Sequence, residues 1–253
     1  MAYDQENTFR TRSGAGVDAH AIDEGLRAYM LKVYNYMALG IAFTAVVSLF
    51  LMSNPPLLFA LYFGLGGWAK WIIFAAIIGM GFFSNKLILE GSTALAHAAF
   101  WIYAALWAVF ITPFVFKFVQ AGNTHIVFQA FAVTAAAFAS LSLYGYTTKR
   151  DLSPIGAFCC MALVGMLVIG LIAMFTGGFA NNLFSLGFSA LMVLIIAAMT
   201  AWETQSTKEM YFAGDGQDTT NKKAIFGAFH LYASFVMMFI HILNILGIMG
   251  GDD

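Results

Sequence analysis

Seven long apolar runs divide this 253-residue chain, and nearly all of its basic residues fall in alternate connections between them. The runs cover residues 33–53, 68–84, 94–114, 125–146, 155–176, 183–203 and 225–248. Most reach the ~20 residues that carry a helix across ~30 Å of hydrocarbon. In lipid every backbone polar group must be satisfied internally, which leaves helices or closed barrels. Barrel strands alternate in polarity and need only about 10 residues each, so continuous apolar runs point to helices. The chain is 61% hydrophobic and 10% charged, against roughly 25% charged in soluble domains. The expected fold is an all-α integral membrane protein, a bundle of seven transmembrane helices. The second run is the weakest, because Lys70, Gly79, Gly81, Ser84 and Asn85 interrupt it. Before it, residues 55–67 read as an amphipathic stretch lying at the interface rather than spanning.

Orientation follows from where lysine and arginine are retained. With the N-terminus inside, the inside segments hold Arg10, Arg12, Arg27, Lys32, Lys86, Lys149, Arg150, Lys208, Lys222 and Lys223, and the outside segments hold Lys70 and Lys117. Ten of the 12 basic residues thus fall on one side, so the expectation is N-inside and C-outside. Three regions follow: a polar cytoplasmic tail at 1–28, a membrane domain at 29–250 and a short acidic end at 251–253 that holds Asp252 and Asp253. The tail contains no apolar stretch of the kind found in a cleaved signal peptide, so the first run is expected to direct insertion. Its composition predicts no fixed structure to about Asp18, followed by a short amphipathic lead through Ile22, Leu26, Tyr29 and Met30.

Several function classes find no support. A net charge of −1 with no dense basic run gives no reason to expect nucleic-acid binding. Cys159 and Cys160 are adjacent, an arrangement suited neither to an ordinary disulfide nor to a metal site, and read as small apolar helix residues. No nucleophile elbow, zinc-protease or phosphate-loop motif is present, so no enzyme and no cofactor is expected. Small residues at Ala132, Ala136 and Ser140, flanked by Ala135 and Ala139, allow close helix approach in lipid. They make the fourth run the candidate centre of the bundle, with a dimer face as the rival explanation.

Polar residues within the runs narrow the site. At 100° per residue His230, Ser234 and His241 lie within about 40° of one another, with Asn244 nearby, forming a polar stripe about 20 Å long. Ionisable residues in such positions usually face the bundle interior and mark ion or proton routes. Glu203 ends the sixth run where His230 begins the seventh, so these two are expected to meet. Other readings stay open: Glu203 as a solvated helix end with Trp202 an interfacial anchor, and His241 as a neutral histidine bonded to a carbonyl. His97 and His125 read as interface residues. Asp151 reads as a helix-entry residue, with Ser153 and Pro154 as N-cap and first turn.

Four segments carry a resemblance. Residues 29–40 (YMLKVYNYMALG) with Thr44 and Ala45, residues 142–153 (SLYGYTTKRDLS), residues 202–205 (WETQ) and Leu231 with Tyr232 are similar to the transmembrane Bax inhibitor motif family, and the second resembles its bacterial members. The resemblance implies seven helices with the last one central, a multi-pass place in a bacterial inner membrane, and in some members a pH-sensitive calcium leak. Such members sense protons with two acids on the sixth and seventh helices, which an arginine of the second helix can pair. Glu203 matches the first acid, Ser234 stands at the second and Phe83 at the arginine, so a two-carboxylate sensor is not claimed. Lys86 is the residue that would stand in for the arginine, though an ammonium lacks the guanidinium's fork.

The expected function is a cation leak, with calcium the transported ion and Glu203 its contact, and with Glu203, His230, Ser234 and His241 as pathway or proton-sensing residues supported by Lys86 and Asp151. Proton sensing would then rest on Glu203 with His230, giving less leak at acid pH. The alternative is a non-conducting regulator that binds a membrane protease or another membrane protein. The lipid bilayer is the partner common to both.

Overall fold

The computed structural model describes residues 24–250. The acidic end and the side chains of most of the N-terminal tail lie outside the described residues. Eight α-helices make up the fold among the described residues: α1 (Tyr3–Ser53), α2 (Pro55–Phe63), α3 (Ala69–Phe82), α4 (Thr93–Gln120), α5 (Thr124–Thr147), α6 (Ser153–Thr176), α7 (Asn182–Glu209) and α8 (Gln217–Met249). Six stretches are long and apolar enough to cross a membrane: residues 24–53 of α1, and α4, α5, α6, α7 and α8. At 14 residues, α3 is too short to join them alone. The unstructured start expected to about Asp18 lies outside the described residues.

Punctuation in the sequence accounts for the boundaries. Asn54 precedes Pro55 and Pro56, whose missing N–H groups and fixed φ end α1 and suit the first turn of α2. The chain then reverses through Leu65, Gly66 and Gly67, all at positive φ, where glycine carries no Cβ penalty and Leu65 does. Further on, α3 does not simply stop. After Phe83 the chain continues through Ser84 into a wide π-helical turn at Asn85–Leu89, so residues 69–89 form one broken helix. Its loosened carbonyls are met from α8, where Lys222 Nζ donates to Leu89 O at 2.9 Å and to Gly91 O at 3.2 Å. Ser92 Oγ caps the start of α4, and Asn181 Oδ1 caps α7.

The centre of the bundle is α8. It packs against α1, α4, α5, α7 and the π-helical turn, whereas α6 lies mainly on α7. Half of the most apolar stretch of α8 is buried, against 17% for α6. The small-residue stripe therefore misleads: Ala132, Ala136, Ala139 and Ser140 on α5 are exposed. The inward face of α5 is Ile126, Ala130, Thr134, Phe138, Ser142 and Gly145. Small side chains permit close approach, but Phe138 against Phe235 of α8 supplies the contact area that decides which face turns inward.

Candidate functional site

Glu203 lies on the buried face of α7, 6% exposed. Among the described residues it is the acidic side chain in the buried set. Its carboxylate Oε2 accepts a hydrogen bond of 2.7 Å from Ser234 Oγ on α8. Tyr103 of α4 and Cys159 and Cys160 of α6 lie within reach of its charge. Tyr103 is held by stacking on Phe229 with ring centroids 3.9 Å apart. Glu203 is therefore an interior carboxylate on the central α7–α8 seam, not a solvated helix end.

The expected meeting of Glu203 with His230 does not occur. His230 Nε2 faces Ser84 Oγ at 3.4 Å, and its ring packs between Phe226 and Phe229. Ser234 and His230 share one face of α8, but α7 covers Ser234 while the broken α3 helix covers His230. A helical wheel places side chains on a face without saying which neighbour covers each turn of it. Lys86 is exposed in the π-helical turn, and Phe83 is 63% exposed, so neither stands at the carboxylate.

The stripe on α8 continues as a second polar group. His241 Nδ1 lies 3.2 Å from Ser189 Oγ, and Asn244 Nδ2 donates to Ser185 Oγ and Ser189 Oγ, both at 2.9 Å. Ser189 and Glu203 are separated by 14 positions on α7, or about 21 Å. Between them the buried residues include Met192, Ile195 and Ile196 on α7 and Met238 on α8. The polar stripe is thus two clusters with an apolar interval.

Around Glu203 the rest of the 202–205 segment has structural duties that spacing did not reveal. Thr204 Oγ1 donates to Ser142 Oγ at 3.3 Å. Gln205 uses both ends of its amide: Oε1 accepts from Leu152 N and Nε2 donates to Arg150 O, each at 2.8 Å. Lys208 Nζ reaches Tyr146 O at 2.9 Å. These bonds bind α7 to the 142–153 segment. Gly145 serves the same contact, since a Cβ there would collide with the carbonyl oxygen of Ala201. Asp151 does not face the site. Its exposed Oδ1 accepts the backbone N–H of Ser153 at 2.9 Å, and this bond, with the Ser153 hydroxyl, holds its carboxyl below the usual carboxylate range. Leu152, not Ser153, occupies the N-cap position of α6, and the cap comes from Asp151 one residue earlier.

The other two motif segments also sit where helices approach most closely. Tyr232, fully buried on α8, shares a 2.7 Å hydrogen bond with Thr44 of α1. Leu231 is equally buried.

Among the described residues, no group of three His, Cys, Asp or Glu side chains is placed to hold a metal ion. Calcium takes 6–8 oxygen ligands, so Glu203 with Ser234 offers a passing cation one charged contact and not a cage.

The chain matches, over residues 26–251, a family model described as inhibitor of apoptosis-promoting Bax1. It is similar to RP147 of Rickettsia prowazekii (strain Madrid E), 32% identical over 226 residues that cover 89% of this chain and 91% of the relative. A protein of Deinococcus radiodurans is 31% identical over 220 residues, covering 87% and 90%. The inner membrane protein YbhL of Escherichia coli (strain K12) is 29% identical over 229 residues, covering 88% and 92%.

Proposed function

The chain belongs to the Bax1-I family, the inhibitors of apoptosis-promoting Bax1, and from that premise we propose that it is a multi-pass protein of a bacterial inner membrane that leaks cations, with calcium as its cargo. Similarity to an Escherichia coli protein named for the inner membrane supports the location. The observation that carries the function is Glu203, a carboxylate buried on the central α7–α8 seam with a serine hydroxyl as partner. Burying an acid in a helical bundle is costly and finds its reason in an ion or proton route. One carboxylate suits a transit site rather than a storage site. Nothing in the arrangement suggests an enzyme.

Seven spans with the N-terminus inside is the topology that fits best. Lys32, near the start of the spanning stretch 24–53 of α1, bonds to Asn221 near the start of α8, so both spans begin at the same end of the bundle. The chain between them must cross an even number of times. Five long helices, α1 and α4 to α7, supply an odd number, and we assign the sixth crossing to the broken helix at 69–89. The end holding Lys32, Lys208 and Lys222 is then the cytoplasmic one.

Proton sensitivity resides in Glu203 rather than in a pair with His230. A protonated carboxyl loses the charge that attracts a cation, so flux falls as pH falls. The test is calcium flux into dye-loaded liposomes containing only the purified protein, across a pH series. Wild type should conduct, and Glu203→Gln should conduct weakly at every pH. Absence of flux in the wild type would sink the leak and leave a regulator of a membrane protease or another membrane protein. Full flux in Glu203→Gln would remove Glu203 from the path.

A further inference from the structure

We propose that the end of the bundle opposite Glu203 binds a phosphate-type anion, the headgroup of an anionic phospholipid, with Lys117 as its counter-charge. A half-open cavity of about 260 Å3 lies there. Lys117 and Phe118 in the last turn of α4, Asn123 before α5, Asn182 at the start of α7, and Asn244 and Ile248 on α8 form its walls. Its polar groups are one ammonium and three carboxamides, with no carboxylate.

Several independent observations point to an anion. No aspartate or glutamate occurs at residues 25–89, 91–150, 152–202 or 219–250, so the described loops at this end contain none. Among the described residues Lys117 has no ion pair or hydrogen bond, whereas Lys208, Lys222 and Lys223 at the other end are engaged with carbonyls or with Asp215. Asn244 spends its two amide N–H groups on Ser185 and Ser189 and so forms a fixed wall, which leaves Asn123 and Asn182 as the carboxamides that can donate. The Asn123 side chain makes no hydrogen bond among the described residues, so its amide N–H groups are able to donate. A phosphate oxygen takes bonds from an ammonium and from amide N–H groups together.

The place in the fold favours a lipid source over free phosphate. Lys117 lies three residues from the end of a 28-residue spanning helix, where a span leaves the hydrocarbon. Phe118 and Ile248 give the cavity an apolar side for the glycerol portion of a headgroup. Zwitterionic phosphatidylcholine carries its own cation and should compete poorly.

Native mass spectrometry of the purified full chain, offered equal amounts of phosphatidylglycerol and phosphatidylcholine, tests this. Wild type should retain phosphatidylglycerol preferentially. Lys117→Gln should lower that retention about tenfold, the scale of one charge-assisted contact. Lys117→Arg should keep it, because a guanidinium also matches phosphate. Lys70→Gln removes the other basic residue assigned to this end and should change little. Equal retention by wild type and Lys117→Gln, or equal losses in Lys117→Gln and Lys70→Gln, would overturn the site. Calorimetric titration with inorganic phosphate separates the sources: phosphate binding that needs Lys117, without lipid preference, makes the ligand a soluble anion. Absence of both overturns the proposal. A lipid preference seen only in an Asp252→Asn, Asp253→Asn double variant would make the chain's own acidic end the occupant, and would likewise overturn it.

Discussion

Glu203 and Ser234 form the smallest unit on which function depends, and the two can be separated by substitution. Ser234→Ala removes the hydrogen bond to a buried acid while leaving the acid in place, at a cost of about 1–3 kcal/mol in stability. Thermal unfolding in detergent should show the loss, while flux and its pH dependence should persist because Glu203 remains. Ser234→Asp should add a second titration step, since two acids that close titrate as a pair. His230→Gln should leave the pH profile of flux unchanged, because the ring faces Ser84 and not the carboxylate. A flattened profile in that variant would restore histidine to the proton-sensing role. Gly145 is a residue of another kind. Gly145→Ala places a methyl group against the Ala201 carbonyl, and forcing the two backbones apart should cost about 1–3 kcal/mol, measurable as a lower unfolding temperature with no direct effect on the ion path.

At the scale of elements, two side chains hold irregular backbone in place. Gln205→Ala would leave Leu152 N and Arg150 O without their partners. Because Leu152 is buried, its N–H cannot readily turn to water, and the penalty should be about 1–3 kcal/mol. Hydrogen exchange should quicken at residues 150–153 before it quickens in the body of α6 or α7. Lys222 does for the broken helix what Gln205 does for this loop. Lys222→Met should speed exchange across residues 85–91, where its bonds to Leu89 O and Gly91 O now satisfy the loosened turn. Unchanged exchange there would mean that packing of Ile88, fully buried against the core, is sufficient on its own.

The whole molecule makes a claim about sidedness. A reporter active only in the cytoplasm should work when fused after Lys149 or Lys222 and fail after Lys117 or Asp253. Activity at the C-terminal fusion would mean an even number of crossings, which the neighbouring starts of the 24–53 span and of α8 do not permit if the broken helix crosses. The same fusion set tests that helix directly, since removing its crossing would invert every assignment after Gly91, those of Lys222 and Asp253 included.

Membrane residence, helical class and the positions of the long spans follow from local sequence, because hydrocarbon penalises every unpaired backbone group and so makes apolar run length a near-complete description of each element. The weakness of the second run was legible in the same way, from Gly79, Gly81, Ser84 and Asn85, and it became a broken helix. Glu203 was also legible, as a charge at the edge of an apolar run. Its partner was not. Which neighbour covers each turn of α8 depends on how five other segments are arranged around it, and that is settled by side-chain volume and contact between residues far apart in the chain. Ser234 therefore met Glu203 while His230 met Ser84, and the small-residue face of α5 turned outward although its spacing favoured a central place. The cavity at Lys117 belongs wholly to the tertiary level: Lys117, Asn123, Asn182 and Asn244 share no motif, and only the antiparallel packing of α4, α7 and α8 brings them to one end.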